Sequence, residues 1–108
     1  MDNNDDRLFF NGQVRLLTGL NEFGPSYWVK GFALVDEETG EKSLPFISTF
    51  DLDKIVEEQD SLKITFRIYP DRMKQYQVEL FPFLMQFKYE GKTYPTEQFY
   101  KTFTGEDY

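Results

Sequence analysis

Histidine and cysteine are both missing from this chain of 108 residues. These two residue types supply most general bases that act near neutral pH, most nucleophilic thiolates and most zinc, iron and copper ligands. A disulfide framework also needs cysteine pairs. The sequence therefore excludes catalysis by imidazole or thiol groups and every fold that depends on disulfides.

Targeting and membrane signals are missing as well. Residues 1–7 hold three aspartates and one arginine and are acidic where a signal or transit peptide is basic, and no apolar run reaches the roughly 18 residues of a membrane span. The lack of cysteine fits a reducing compartment. We therefore expect a cytoplasmic protein that has no membrane partner.

The chemistry of the remaining residue types gives no catalytic motif. The serines have no histidine base, and the acids cluster instead of facing each other across a cleft as a glycosidase pair would. The acidic stretch 36–41 lacks the D-x-[DN]-x-[DN]-G pattern of a calcium loop. The sequence predicts a non-enzymatic protein without a metal or other cofactor.

Aromatic residues are abundant, with 12 Phe, 7 Tyr and one Trp. Each ring buries roughly 150–250 Å² in a core, so the chain can fold without disulfides or metal. The length fits one domain over residues 1–108. We expect residues 1–6 and 105–108 to be frayed, as chain ends commonly are.

Turn signals recur at short spacing and predict antiparallel sheet. Asn11-Gly12 and Glu90-Gly91 each separate two apolar runs and suit tight hairpins, and Asp36–Gly40 suits a longer one. The run 27–35 is apolar on both faces and predicts a central strand, and its return strand is predicted at 42–48. Residues 62–69 and 75–80 alternate apolar with polar, as half-buried strands do.

Two stretches carry helical spacing. Between residues 50 and 58, Leu52, Ile55 and Val56 recur at helical intervals after Asp51, which predicts a helix of about two turns capped by that aspartate. After Pro95, Thr96 is predicted to cap a short helix in which Phe99 and Phe103 share a face.

Together these signals predict a mainly β fold, a small antiparallel barrel or sandwich of 6–8 short strands with one or two short helices. An OB-like barrel is one candidate, because the predicted helix follows the third main strand as it does in that barrel. This placement is an analogy at the level of the fold and assigns no function.

Charge is unevenly distributed. Residues 36–60 hold nine acids and two lysines, whereas residues 61–101 hold seven basic residues and four acids. Clustered carboxylates steer a basic partner and suit a site that is built for phosphates. The leading hypothesis is an inhibitor, immunity protein or DNA mimic that blocks a basic, nucleic-acid-directed protein. Its predicted contact residues are Asp36, Glu37, Glu38, Glu41, Asp51, Asp53, Glu57, Glu58 and Asp60.

An interface of this kind also needs a buried centre, because exposed ion pairs contribute only about 0.2–1 kcal/mol each. Trp28 or Tyr27, just after the Gly24-Pro25 turn, is the predicted aromatic anchor. Burial in the core is the competing interpretation of Trp28.

Two other functions fit the same sequence. An OB-like protein that binds single-stranded nucleic acid would stack bases on rings and meet phosphates with cations. It would use Lys63, Arg67, Tyr69, Lys88, Tyr89, Lys92 and Tyr94. Against it stands the isoelectric point of about 4.5. A structural or assembly subunit is the second alternative and predicts self-association.

Overall fold

The computed structural model describes residues 7–22 and 28–105, apart from the side chain of Arg72. This part of the chain forms nine strands, a 3₁₀ turn over Thr96–Gln98 and one short helix, α1, over Phe99–Thr104. The strands are β1 (Arg7–Phe9), β2 (Val14–Glu22), β3 (Trp28–Asp36), β4 (Lys42–Leu44), β5 (Phe50–Glu57), β6 (Leu62–Ile68), β7 (Asp71–Phe81), β8 (Gln86–Tyr89) and β9 (Lys92–Pro95).

The strands form two antiparallel sheets in which each strand pairs with its neighbours along the chain. Sheet A has the order β1-β2-β3-β4, and sheet B has the order β5-β6-β7-β8-β9. The mainly β fold is therefore confirmed. Within the described ranges no ladder joins the two sheets, so they do not close into a hydrogen-bonded barrel.

The hairpin predictions are confirmed. Asn11 and Gly12 both have positive φ, and Gln13 N donates to Phe10 O at 3.2 Å, as a tight primed turn requires. Glu90 and Gly91 repeat this arrangement between β8 and β9. The wider loop after β3 has its glycine at φ +77°.

The strand predicted at 27–35 is β3, and it is central because it pairs with both β2 and β4. Tyr27 lies outside the described residues. The return strand is shorter than predicted and ends at Leu44, directly before Pro45, which has no N–H to donate to a ladder.

The helix predicted at 50–58 is wrong, because this segment is strand β5. Its pairing with β6 shifts at a bulge, so that Leu52 opposes Phe66 while Lys54 opposes Thr65. The extra residue at the bulge, Asp53, moves the next inward side chain from position 54 to Ile55. A bulged strand therefore buries residues three apart, which is the spacing that predicted a helix. With β5 added, the number of described strands exceeds the predicted 6–8.

The helix after Pro95 is present, although the predicted cap is wrong. Phe99 and Phe103 share a face, with ring centroids 5.2 Å apart. Thr96 makes no side-chain cap; it is buried in the 3₁₀ turn, whose N-cap is Pro95. Gly105, predicted to be frayed, is the left-handed C-cap of α1, and residues 106–108 and 1–6 lie outside the described residues.

One hydrophobic core lies between the sheets and extends beneath α1. Phe66 is its aromatic centre: its ring contacts those of Phe50, Tyr76, Phe99 and Phe103 at centroid distances of 5.2–5.6 Å. The helix α1 thus covers the inner face of sheet B with Phe99 and Phe103. Within the described residues, no helix is long and apolar enough to cross a membrane.

The antiparallel order places alternate connections at opposite ends of each sheet. The acid end comprises the four connections at 10–13, 37–41, 58–61 and 82–85. The far end comprises the opposite ends of the strands, including the starts of β3 and β5 and the Glu90-Gly91 turn. These two ends differ in charge and in what their carboxylates contact.

Candidate functional site

The nine predicted contact acids are divided between the two ends. Asp51 and Asp53 lie at the start of β5, at the far end. Seven lie in or next to the connections of the acid end: Asp36, Glu37, Glu38, Glu41, Glu57, Glu58 and Asp60. The structure thus brings together most of the predicted set and separates two members from it.

Hydrogen bonds through the β1–β2 turn bring the two acidic segments of the acid end together. Glu57 Oε1 accepts a hydrogen bond from Phe10 N at 2.9 Å, and Glu37 N donates to Gln13 O at 2.9 Å. One four-residue turn therefore contacts the end of β5, in sheet B, and the β3–β4 loop, in sheet A. The acids of both segments form one surface.

Several carboxylates of the acid end are engaged locally. Arg15 Nε donates to Glu37 Oε1 at 2.6 Å, and Lys63 Nζ lies 3.2 Å from Glu58 Oε1. Asp36 Oδ1 accepts from the backbone N–H groups of the two residues that begin its loop, Glu38 and Thr39, at 2.8 and 3.1 Å. These contacts shape the loops and neutralise part of the charge.

Three carboxylates of the acid end remain available to a partner. Glu38, Glu41 and Asp60 are exposed. No residue in the described part of the chain forms an ion pair or hydrogen bond with their carboxylates. This arrangement leaves a net negative rim with freely solvated charges, which favours steering of a cationic partner.

The two acids of the far end serve the fold. Asp51 is only 6% exposed, and its Oδ1 accepts a hydrogen bond from Lys30 N at 2.9 Å, linking β5 to β3. Asp53 lies 2.7 Å from Arg67 Nη2 and 3.1 Å from Gln75 Nε2, across three strands of sheet B. The carboxylate of Asp51 is buried, and that of Asp53 is held by two side chains of the protein.

Exposed apolar side chains accompany the acids. Phe83 and Leu84 in the β7–β8 turn are 49% and 65% exposed, and the Phe83 ring meets the Phe10 ring edge-on at 5.2 Å. The sequence reasoning missed these residues. Its one signal was Pro82, which interrupts an apolar run and marks the corner that turns Phe83 and Leu84 outward.

The predicted anchor Trp28 is exposed, at 49%, and not part of the core. It begins β3 at the far end, opposite Glu22, and is therefore separated from the acid end by the length of the strand. Tyr27 lies outside the described residues. Phe83 and Leu84 lie at the acid end, and Phe83 lines a cavity together with Glu41.

A cavity of about 120 Å³ separates the β3–β4 loop from the β7–β8 turn. Asp36 and Glu41 line one side, and Phe83 and Met85 line the other. This volume equals about four water molecules at roughly 30 Å³ each. It is too small for a typical small-molecule ligand, which needs roughly 300–1,000 Å³, and fits a single side chain.

The residues of the nucleic-acid alternative lie on opposite faces of sheet B. Lys63 and Lys88 flank Glu79 in one cross-strand row of the outer face. Tyr89 and Tyr94 pack against the core on the inner face. The alternation of side chains along β8 thus separates Tyr89 from Lys88, whereas Lys92 pairs directly with Tyr89 across the β8–β9 ladder.

The remaining residues of that set are placed as follows. Arg67 is paired with Asp53, Tyr69 is in the β6–β7 turn, and Lys92 is exposed at the start of β9. A surface that stacks bases and neutralises phosphates needs rings and cations side by side. Of the cations in this set, sheet B places Lys92 alone beside Tyr89 and Tyr94, and both rings are half-buried.

The pKa of Tyr89 differs from its ordinary value. Burial, followed by its hydrogen bond to Glu90 and the negative charge of that residue, raises the pKa of Tyr89 from 10.0 to about 12. Tyr76 and Tyr94 add smaller effects in the same direction. A phenol of pKa 10.0 is already neutral at physiological pH, so the shift changes the charge of Tyr89 only under alkaline conditions.

Of the residues that the structure describes, no three carboxylates converge as a set of metal ligands. No protein-family model, curated protein or solved structure matches the chain. Function therefore has to be inferred from the geometry of this chain itself.

Proposed function

We propose that this chain is a non-enzymatic protein-binding module that recognises a basic partner through its acid end. The partner is a nucleic-acid-directed protein, met in the cytoplasm, whose phosphate-binding site is blocked by the module. The observation that carries this proposal is the position of Glu38, Glu41 and Asp60, exposed and unpaired by any described residue, at the same end of the sheets as the exposed side chains of Phe83 and Leu84.

The two parts of this surface have different physical roles. Carboxylates at the rim accelerate association with a positively charged surface and select against acidic proteins. They add little affinity individually, because exposed ion pairs contribute about 0.2–1 kcal/mol. An aromatic and an aliphatic side chain next to them provide the desolvated centre in which binding energy concentrates.

A nucleic-acid-directed partner follows from the chemistry of the rim. Carboxylates at the tips of a hairpin and a loop present oxygen atoms with negative charge, as a phosphate backbone does. A site that binds phosphates through lysine and arginine can bind such carboxylates through the same charge-assisted hydrogen bonds. Occupation of that site excludes nucleic acid, which is how a mimic or immunity protein inhibits.

The competing proposal is an OB-like binder of single-stranded nucleic acid. It is supported by the outer face of sheet B, where Lys54, Lys63 and Lys88 are exposed. It lacks neighbouring exposed rings on that face, and it needs a closed barrel where the chain has two separate sheets. We therefore rank it below protein binding.

The two proposals differ in what they bind. We would titrate the labelled protein with a basic ribonuclease and, separately, with a single strand of about 20 nucleotides, at roughly 50 and 200 mM salt. Our proposal predicts ribonuclease binding and inhibition that weaken with salt, and no oligonucleotide binding. Salt-sensitive oligonucleotide binding without ribonuclease binding would support the competing proposal.

Matched charge variants locate the interface. The double variant E38Q/E41Q removes two charges from the acid end, and E22Q/E90Q removes two from the far end. We expect the first to weaken ribonuclease binding about threefold to tenfold and the second less than about twofold. Equal losses would show that only net charge matters and would contradict a local interface.

The assembly alternative predicts self-association instead. Static light scattering at increasing concentration separates it from both binding proposals. We expect the mass of a monomer of 12.9 kDa. A ring or polymer would favour the assembly alternative.

A further inference from the structure

A groove extends from the acid end along β4. It begins as the cavity of about 120 Å³ beside Asp36 and continues into two further cavities of about 280 and 250 Å³. Met85 lines all three cavities, and Ser43 lines the first two. The three cavities are thus adjoining parts of one elongated depression between the edge of sheet A and the 3₁₀ turn.

The floor of this groove contains a buried hydroxyl without a partner. Thr96 is 4% exposed and lines both larger cavities. Its backbone N–H donates to Met85 O at 2.9 Å, but no group in the described ranges hydrogen-bonds to its side-chain oxygen. Buried polar side chains nearly always have a partner, so this hydroxyl is suited to pair with a group that enters the groove.

The other buried polar side chains show that Thr96 is unusual. Ser43 Oγ donates to Leu34 O at 3.4 Å, and Ser61 Oγ donates to Glu79 Oε2 at 2.6 Å. Asp51 Oδ1 accepts a hydrogen bond from Lys30 N, and Thr18 is not without an interaction partner. The fold satisfies the side chains of Ser43, Ser61 and Asp51 internally and leaves Thr96 to the groove.

The lining of the groove defines the class of ligand. Its apolar surface comes from Pro45, Met85, Pro95 and the ring of Tyr100. Its charges are three carboxylates, Asp36, Glu41 and Glu97, and one ammonium, Lys42. An elongated ligand that combines apolar groups with positive charge complements this lining.

We propose that an extended peptide segment of the basic partner binds in this groove, an inference that rests on the proposed function. An arginine or lysine side chain occupies the smallest cavity, between the carboxylates of Asp36 and Glu41 and the Phe83 ring. The next apolar side chain packs on Met85 and Tyr100. A peptide group of the segment pairs with the Thr96 hydroxyl.

The methionines of the chain provide a direct readout. Met85 lies in the groove, whereas Met73 is 93% exposed on β7, near the far end. With ¹³C-methyl methionine, we would titrate a blocked peptide in which one arginine precedes leucine and valine. We expect the Met85 methyl resonance to shift on binding and the Met73 resonance to stay in place.

Two threonine variants test the hydroxyl. Thr96→Val keeps the shape of the side chain and removes its oxygen, and Thr93→Val makes the same change on the exposed part of β9. We expect T96V to melt at the same or a higher temperature, since it loses an unpaired buried hydroxyl. We also expect it to bind the arginine peptide about fivefold more weakly, since one hydrogen bond is lost. T93V should bind as the parent does.

The outcomes separate this inference from the proposed function. If the peptide or the ribonuclease binds with the acid-end dependence described above, but Met85 does not shift and T96V binds normally, the groove proposal is overturned while the acid-end interface stands. If neither probe binds at all, both proposals are overturned. A peptide with glutamate in place of arginine should not bind, and equal binding of that peptide would overturn the role of the carboxylates.

Discussion

The carboxylates at the two ends of strand β5 differ in the groups that they contact. At the far end, Asp51 is buried against a backbone N–H of β3, and Asp53 is held by Arg67 and Gln75. At the acid end, Glu58 has one exposed lysine partner, and Asp60 is exposed without an ion-pair partner among the described residues. A run of acids in a sequence can thus contain both carboxylates that are bonded within the fold and carboxylates that are open to solvent, and their contacts distinguish them.

The difference has a consequence for stability and for binding. Removal of a carboxylate that accepts a hydrogen bond from a buried donor lowers the free energy of unfolding, because the donor then lacks an acceptor in a place that water reaches poorly. An exposed carboxylate is replaced by water when it is removed, so its loss changes stability little. Substitutions at the far end should therefore affect folding, and substitutions at the acid end should affect partner binding.

The largest expected effect is at Asp51. Replacement by alanine removes the acceptor 2.9 Å from Lys30 N and should lower the free energy of unfolding by about 1–3 kcal/mol. The matched variant Asp60→Ala should change it by less than about 0.5 kcal/mol. Urea denaturation followed by tryptophan fluorescence measures both. Similar losses would remove the distinction between the two ends.

A smaller loss is expected at Asp53. The pair with Arg67 is partly sheltered, with 17% and 28% of the two side chains exposed, so Asp53→Asn should cost about 1 kcal/mol. Glu58→Gln, which weakens the exposed pair with Lys63, should cost less than about 0.5 kcal/mol. High salt should reduce the effect at Glu58 more than at Asp53. The reverse order in urea denaturation would contradict this account of the far end.

The smallest expected effect is on the stability of the fold at alkaline pH. The pKa of Tyr89 is raised to about 12 on folding, from 10.0, so the unfolded chain loses this proton first. The contribution is fully present below pH 10 and is lost as the pH rises towards 12. Melting temperatures measured between these pH values should fall less steeply for Tyr89→Phe than for the parent. Parallel curves would show that folding does not raise the pKa of Tyr89.

Local turn chemistry predicted much of the fold. Each of the pairs Asn11-Gly12 and Glu90-Gly91 is suited to the positive φ angles of a tight turn. The hairpins could therefore be located without knowledge of the tertiary structure. The alternation in β6 likewise gave its buried face. These signals depend only on neighbours in the chain.

Two errors came from contacts that are distant in the sequence. The bulge at Asp53 is fixed by pairing with β6, and it reproduces helical spacing in a strand. Thr96 is of a residue type that often caps helices, but it is buried within the 3₁₀ turn, which packs beside β4. Neither fact follows from local preference, because packing between sheets overrides it.

The candidate site was predictable only in part. Composition located the acids, and the hairpin at 36–40 was identified, so the charge at one end followed from the sequence. Burial of Asp51 and exposure of Phe83, Leu84 and Trp28 depend on how the two sheets pack. The sequence therefore predicted a charged surface, whereas its predicted aromatic anchor, Trp28, lies at the end opposite to most of these acids.

Backbone NMR tests the central claim most directly. Amide resonances of the ¹⁵N-labelled protein would be followed while the basic ribonuclease is added. The account predicts that the perturbed amides cluster in the connections at 10–13, 37–41, 58–61 and 82–85. Perturbations confined to the far end or to the outer face of sheet B would contradict it.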